Sequence, residues 1–353
     1  MADTSKQTAA MLKRMSPKLA ESATKMVFHQ NPDLAKRYRD AGKEKCLQDT
    51  SYHLSYLIEA VACDSDALFS DYVLWAQQVL ATRQLPVQDF HANLIALKEA
   101  VAQNLPIDQY VRVANHLNGA LQLLEQNNNI RYVTTEAPLE PVAQQYLELL
   151  LSGQRAAATE LILEQVNQGV TVKEIYLKVF QPVQHKIGRL WQTNKISVAQ
   201  EHFCTAITQS IMSQLYPLIF GTERNGQKLI ATCVSGDMHE LGVRMVCDFF
   251  EMEGWDTYYL GANVPVTAII SAIRDQKPDL VLLSATMTFH VPAVKDTIKA
   301  IKETKGLEQV KILVGGYPFN TEKNLWKEVG ANGYGTNAQE ALQVAQNLLA
   351  QEK

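Results

Sequence analysis

The sequence predicts a multidomain chain: an all-α N-terminal domain, a second helical bundle, and a C-terminal α/β domain on a five-stranded parallel sheet. Three observations carry this expectation. Apolar residues recur at three- and four-residue spacing from about Met11 to Gln126 and again from about Val142 to Phe220, the period of helices with one buried face. Between them, "EQNNNIRYVTTEAPLEP" (Glu125 to Pro141) is rich in Asn, Thr and Pro and has no period, as a linker should be. After Asn225, short apolar runs alternate with amphipathic helices, the pattern of parallel strands covered on both faces. The expected boundaries are 1–127, 128–141 (the linker), 142–225 and 226–353.

Each element follows from its own signals. In the first segment, "TSYHLSYLIEAVA" and "FSDYVLWAQQVLATRQL" are amphipathic, and Leu85-Pro86 and Leu105-Pro106 interrupt the helices because proline lacks the amide proton a helix needs. In the second, "QQYLELLLSGQRAAATELILEQVNQG" reads as two helices meeting at Ser152-Gly153 and ending at Gly169. "VTVKEIYLKVFQPVQHKIGRLWQTNKI" and "SVAQEHFCTAITQSIMSQLYPLIF" supply two longer ones, giving a four- or five-helix bundle. In the third, the strands are "KLIATCV", "DTYYLG", "DLVLLSAT", "VKILVGG" and "NGYGT". An open, flavodoxin-like (Rossmann-type) sheet is expected, which binds ligands outside the carboxyl ends of its strands, between the first and third.

Composition excludes several function classes. The 353 residues are 46% hydrophobic and 20% charged, an ordinary globular balance. A net charge of −4 argues against a chain-wide nucleic-acid surface. The first forty residues lean basic, without a run of charge or a helix-turn-helix glycine turn, and read as a solvated helix face. Five scattered cysteines with no CxxC read as reduced thiols, so a cytoplasmic location is expected. No signal peptide opens the chain and no apolar stretch approaches the ~18 residues of a membrane span.

The chemistry-bearing stretch is "VSGDMHELGVRM", Val234 to Met245. Asp237 and His239 stand two residues apart on the turn after the first strand, between Gly236 and Gly242. The third strand places Ser284 at its carboxyl edge, and the fourth ends in Gly315-Gly316. The plainer reading makes Asp237 a helix N-cap with His239 in the first turn. A dinucleotide fingerprint, a phosphate loop and a nucleophile elbow are all absent. A zinc site would need more ligands, and a receiver domain would need paired acids after its first strand. What remains is one imidazole oriented by one carboxylate, a basic metal ligand. A single protein ligand suffices when the metal arrives already chelated by a macrocycle.

These residues resemble a known signature. Asp237-x-His239-x-x-Gly242, 41 residues, Ser284-x-Thr286 and then Gly315-Gly316 is similar to the cobalamin-binding pattern DxHxxG…SxL…GG, with Thr286 where Leu is usual. The resemblance implies that His239 is the lower axial ligand to cobalt in place of dimethylbenzimidazole, and that Asp237 bonds its other nitrogen. It also implies that Met238 lies in the binding turn, and that Gly242, Ser284, Thr286, Gly315 and Gly316 receive the displaced nucleotide tail.

The bundle adds Trp191, nine residues, then Glu201-His202. Taken singly these read as a core tryptophan and a solvated face. Together they resemble the W-x9-EH motif of the light-sensing cobalamin repressors. That resemblance implies a pocket for the adenosyl group of adenosylcobalamin. In those repressors a histidine follows the tryptophan and bonds cobalt after illumination; here the position is Gln192.

A cobalamin module behind a helical domain is similar in architecture to the photocobilins, which pair adenosylcobalamin with a bilin in a globin-like domain. The candidate bilin-binding residues are Arg39, Cys46, Tyr52, His53 and Tyr56. Basic groups suit propionates and polar-tipped aromatics suit a flat tetrapyrrole. Haem on His53, or a domain with no cofactor, stays open. The resulting expectation is a non-enzymatic light sensor binding adenosylcobalamin and biliverdin. It would act as a homo-oligomer (a dimer) that signals by conformational change to a separate protein, with no nucleic-acid or membrane partner. The alternative expectation is a corrinoid carrier of a methyltransferase system.

Overall fold

The computed structural model describes residues 2–126 and 138–350, except the side chains of 2, 3, 35 and 38–41. Most of the expected linker, 128–141, therefore lies outside the described residues. The chain forms two compact units, residues 1–134 and 135–353.

The first unit is helical: α1 Ala2–Gln30, α2 Pro32–Ala62, α3 Asp66–Thr82, α4 Val87–Asn104 and α5 Ile107–Gln126. The two Leu-Pro breaks fall where expected. A further break lies at Asn31, with Pro32 opening α2, a place where its missing N–H costs no hydrogen bond. Helix α1 packs along α2 and α4. Leu54, Leu57, Val61, Phe69, Val73, Leu94, Leu97 and Leu117 form an apolar interior. Two polar pairs are buried in it. His53 Nδ1 hydrogen-bonds the Tyr72 hydroxyl at 2.6 Å, and Asn93 Nδ2 donates to Thr50 Oγ1 at 2.8 Å.

The second unit opens with α6 Pro141–Leu151, α7 Arg155–Asn167 and α8 Val172–Ile175, the last begun by a Thr171/Glu174 capping box. A π-type turn, Tyr176–Phe180, leads into α9 Gln181–Gln192, and α10 Val198–Ile219 completes the bundle. The π turn precedes Pro182, whose ring would clash with a carbonyl of a regular helical turn. The α/β part follows: β1 Lys228–Val234, α11 Leu241–Met252, β2 Asp256–Val264, α12 Val266–Gln276, β3 Leu280–Ser284, α13 Val291–Glu303, β4 Lys311–Gly315, α14 Tyr317–Thr321, α15 Leu325–Glu328, β5 Gly333–Tyr334 and α16 Ala338–Ala350. All pairings are parallel, in the order β2-β1-β3-β4-β5. This is the flavodoxin-like sheet the apolar runs predicted. Its order reverses between β1 and β3, where a crevice opens at the carboxyl ends.

Helix α11 joins bundle and sheet. Met245 and Phe249 enter the bundle core beside Tyr176 and Phe180. Val243, Cys247 and Phe250 face the sheet core with Leu229, Ala231 and Trp255. The Tyr176 hydroxyl donates to buried Asp248 of α11 at 2.8 Å. Each large apolar side chain buried here contributes about 1.5–3 kcal/mol, so the bundle is fixed onto the helix that begins just after the Asp237–His239 turn. Among the described residues no helix is long and apolar enough to cross a membrane.

Candidate functional site

Between β1 and α11 runs a strap, residues 235–240, that is neither strand nor helix. Asp237 is not the N-cap of α11. That position is Glu240, which makes no side-chain cap bond. Asp237 is instead fully buried and surrounded by donors. Its Oδ1 accepts from His239 Nδ1 at 2.8 Å and from the His239 amide at 3.0 Å. Its Oδ2 accepts from the Thr286 amide at 2.6 Å, and His290 Nδ1 stands 3.6 Å away. Burial alone would push this carboxyl up. The hydrogen bonds from the His239 ring and the two amides, with the nearby His290 ring, outweigh burial and hold Asp237 well below the usual carboxylate range. It is therefore ionised when its neighbours are in place.

The effect on His239 is reciprocal. The bond to Asp237 raises its pKa above the ordinary imidazole value, against a smaller opposing push from burial. In the neutral ring, Nδ1 carries the proton toward the carboxylate, which leaves the Nε2 lone pair for a metal. The side chain is 59% exposed, so that nitrogen is accessible. Among the described residues no cluster of three or more metal-ligating side chains exists. The donor set is one oriented imidazole, which fits a metal that arrives already chelated by another ligand.

Strand irregularity sets the strap. The β1–β2 register shifts around Thr232, and β2 runs on to Val264, further than the apolar pattern suggested. Asn263 then accepts from the Gly236 amide at 2.7 Å, and its own amide donates to the Asp237 carbonyl at 2.9 Å. Ser284 is buried at the end of β3, paired in the ladder with Cys233 and Gly315. Met238 is exposed.

The two glycine positions of the signature differ physically. Gly316 has φ +104, and a Cβ there would lie 2.0 Å from the Ala285 carbonyl oxygen. A Cβ on Gly242 would meet nothing within 4 Å. Gly316→Ala is therefore expected to destabilise the fold by about 2–4 kcal/mol. Gly242→Ala should leave the melting temperature of the cofactor-free protein within about 2 °C yet weaken cobalamin binding. Melting curves and spectral titration with hydroxocobalamin read both; a Gly242→Ala protein that binds normally removes that glycine from the site.

The bundle reaches the same edge. Glu201 lies close enough to His239 to act on it electrostatically. Glu201 is itself held by the Thr205 hydroxyl at 2.9 Å and pairs with His202 Nδ1. Behind it, Gln184 donates to Thr208, which also hydrogen-bonds Tyr146. His202 is 75% exposed, and Trp191, near the end of α9, is 39% exposed. Trp191 is thus not the core residue it would be if read singly, whereas His202 lies on an exposed face.

The bilin candidates divide. His53 and Tyr56 are interior. The His53 ring lies against Phe90 with centroids 4.9 Å apart, and Tyr56 stacks on Tyr72 at 3.8 Å. Tyr52 is exposed. Cys46 is half-buried and accepts from Asn93 Nδ2 at 3.4 Å, and burial pushes its thiol up. Arg39 falls in α2, but its side chain lies outside the described residues. Three residues at this strand edge had no motif to reveal them: Asn263, His290 and Glu240. Their partners are 19 to 53 positions away, where no local period points.

Comparison with known proteins gives three matches along the chain. Residues 2–125 match the phycobilisome protein family, residues 142–216 one B12 binding domain family, and residues 227–343 another. Dimethylamine corrinoid protein 3 of Methanosarcina acetivorans is 25% identical over 215 residues, 60% of this chain and 99% of its own length. The protein of that name from Methanosarcina mazei is 33% identical over 118 residues, covering 33% of this chain and 69% of its own length. The solved monomethylamine corrinoid protein of Methanosarcina barkeri superposes with a TM-score of 0.53 at 23% identity, over 59% of this chain and 98% of that one, a likeness of fold. The first relative is matched almost end to end, so the rest of this chain has no counterpart in it.

Proposed function

Since the chain belongs to the family of B12-binding corrinoid proteins, we propose that it is a non-enzymatic light sensor built on adenosylcobalamin, with biliverdin in its bilin-type N-terminal domain. The observation that carries this reading is the phycobilisome-type region, residues 2–125, fused ahead of a cobalamin module. His239 is the lower cobalt ligand and Asp237 its orienting partner. Ser284, Thr286, Gly242, Gly315 and Gly316 line the path of the nucleotide tail. Trp191, Glu201 and His202 receive the adenosyl group: an aromatic face for the purine, and a carboxylate that accepts from hydroxyls. Arg39, Cys46, Tyr52, His53 and Tyr56 remain the candidates for the bilin. A bound adenosylcobalamin supplies a cobalt–carbon bond weak enough for visible light to break. The chain's own part is to hold that group dry between bundle and sheet and to rearrange when it leaves.

The corrinoid relatives favour a second reading for residues 142–343, a carrier that presents methyl groups on cobalt to a methyltransferase partner. On similarity alone that reading is the better supported for this part of the chain; it gives the N-terminal domain no task.

One experiment separates the two. Absorption spectra are recorded with adenosylcobalamin alone and with added biliverdin, before and after green and red light. A far-red band that appears with biliverdin and shifts on illumination only when cobalamin is bound is the expected result. A spectrum indifferent to light, from a protein that exchanges methyl groups with a methylamine methyltransferase, would establish the carrier instead.

A further inference from the structure

Glu240 follows His239 directly, yet none of its contacts belong to the ligand pair. Its Oε1 accepts from Gln209 Nε2 of α10 at 3.0 Å. Its Oε2 accepts from the Tyr259 hydroxyl of β2 at 3.0 Å. Bundle, sheet and strap therefore meet on one carboxylate. Along α10, Glu201, Thr205, Gln209 and Ser213 recur every fourth residue and form one polar ridge. Two of them reach α11 and its preceding residue: Gln209 bonds Glu240, and Ser213 Oγ accepts from Arg244 at 2.8 Å. The N-terminal end of this ridge carries Glu201, which acts on His239 through space. The same helix thus acts on two successive residues of the strap, His239 through space and Glu240 by a hydrogen bond, from Glu201 and Gln209 about 12 Å apart along its axis.

We infer that Glu240 is a positioning residue that couples α10 to the His239 strap, so that displacement of the bundle over the crevice loosens the lower ligand. The inference rests on His239 being that ligand. The strap has no ladder bonds, and its one helical bond is at its end, where the Arg244 amide donates to the Glu240 carbonyl at 3.0 Å. Its direction is set by Asp237 and Asn263 on the sheet side and by Glu240 on the bundle side. Without the Gln209 contact, the Glu240 carboxylate keeps only Tyr259, and the strap is held by its sheet-side anchors and the first backbone bond of α11. The imidazole then samples orientations in which Nε2 no longer points into the crevice.

The test uses the full chain loaded with aquocobinamide, which lacks the dimethylbenzimidazole tail and so brings no axial nitrogen of its own, and reduced to the cobalt(II) state. Nitrogen superhyperfine splitting in its electron paramagnetic resonance spectrum reports the His-coordinated fraction. Gln209→Leu is expected to lower the ratio of His-coordinated to His-free cofactor about tenfold, the scale of one hydrogen bond to a charged group. Gln209→Lys, which restores a donor to Glu240, should recover most of it. Ser213→Ala, which cuts the other tie on the ridge, should stay within about twofold of the parent. Without cofactor, amide exchange at 236–241 should quicken about tenfold in Gln209→Leu. Tyr259→Phe, which removes the second tie to Glu240, should act in the same direction if Gln209→Leu does not fold. Parent-like splitting and exchange in Gln209→Leu and Tyr259→Phe would overturn the coupling. Loss of the ratio by the same factor in Ser213→Ala would reduce it to general interface loosening. If His239→Ala retains the splitting, the ligand assignment itself fails; if His239→Ala loses it while the Glu240 ties prove inert, only the coupling fails.

Discussion

His239→Ala is expected to weaken binding of hydroxocobalamin by at least about 100-fold while leaving the melting temperature of the cofactor-free chain nearly unchanged. The two halves of that result have separate causes. The imidazole is 59% exposed, so its removal opens no cavity, and the fold loses only the ring hydrogen bond to Asp237 Oδ1, about 1 kcal/mol. Its Nε2 is an accessible donor whose tautomer is fixed by Asp237, and loss of a residue that merely orients a metal ligand already costs about 10–100-fold. Asp237→Asn should fall in that smaller range, because asparagine can still accept from the Thr286 amide but no longer offers an ionised partner to Nδ1. It should also cost stability, since Asp237 is fully buried and its oxygens gather three hydrogen bonds. Spectral titration gives the affinities and thermal melts the stabilities. Unchanged affinity and an unchanged visible spectrum in His239→Ala would rule out axial ligation by this residue.

The legibility of this site in the sequence has a physical basis. A buried parallel strand must be apolar throughout, and the turn after it must present its polar groups at the carboxyl edge. "KLIATCV" followed by Asp237-x-His239 therefore shows both fold and site within one short stretch. The sheet order β2-β1-β3-β4-β5 follows from the same alternation of runs and helices. The N-terminal helices were legible by period, but the break at Asn31-Pro32 sits inside a long polar stretch with no periodic signal to lose. Asp237 looked like a helix cap because caps and metal-orienting carboxylates use the same residue type. Only the packing of Thr286 and His290 around it distinguishes the two roles. Glu240 illustrates the limit most sharply: its meaning lies in Gln209, 31 positions earlier and in another layer of the fold. Such a contact is created by packing of α10 on α11 and leaves no trace in either helix's own pattern.

In the N-terminal unit, acid is expected to remove roughly 4 kcal/mol of stability between pH 7 and pH 3 through His53 alone. Burial pushes the His53 imidazole down from its ordinary value to about 3. The folded unit holds the ring neutral against Tyr72 and Phe90. The unfolded chain takes up a proton near pH 6.5. Between those two values the unfolded state binds more protons, so stability rises with pH; the contribution is complete above about 6.5 and is lost as pH falls toward 3. Each pH unit in that window is worth about 1.4 kcal/mol, a large share of a small domain's 5–15 kcal/mol. Hydrogen exchange of α2 and α3 amides in the full chain, at pH 7 and pH 4.5, should show a loss of about 2–3 kcal/mol. His53→Gln can still bond the Tyr72 hydroxyl and cannot titrate in this range, so its stability should be lower at pH 7 but much flatter with pH. An equal slope in parent and variant would mean that His53 is not held neutral by the fold. The same measurement with biliverdin present bears on where a pigment lies. A tetrapyrrole touching His53 must replace Tyr72 as its hydrogen-bond partner or leave a buried group unpaired at about 1–3 kcal/mol. A slope unchanged by biliverdin therefore places the pigment away from the His53–Tyr72 pair, and a slope that disappears places it against that pair.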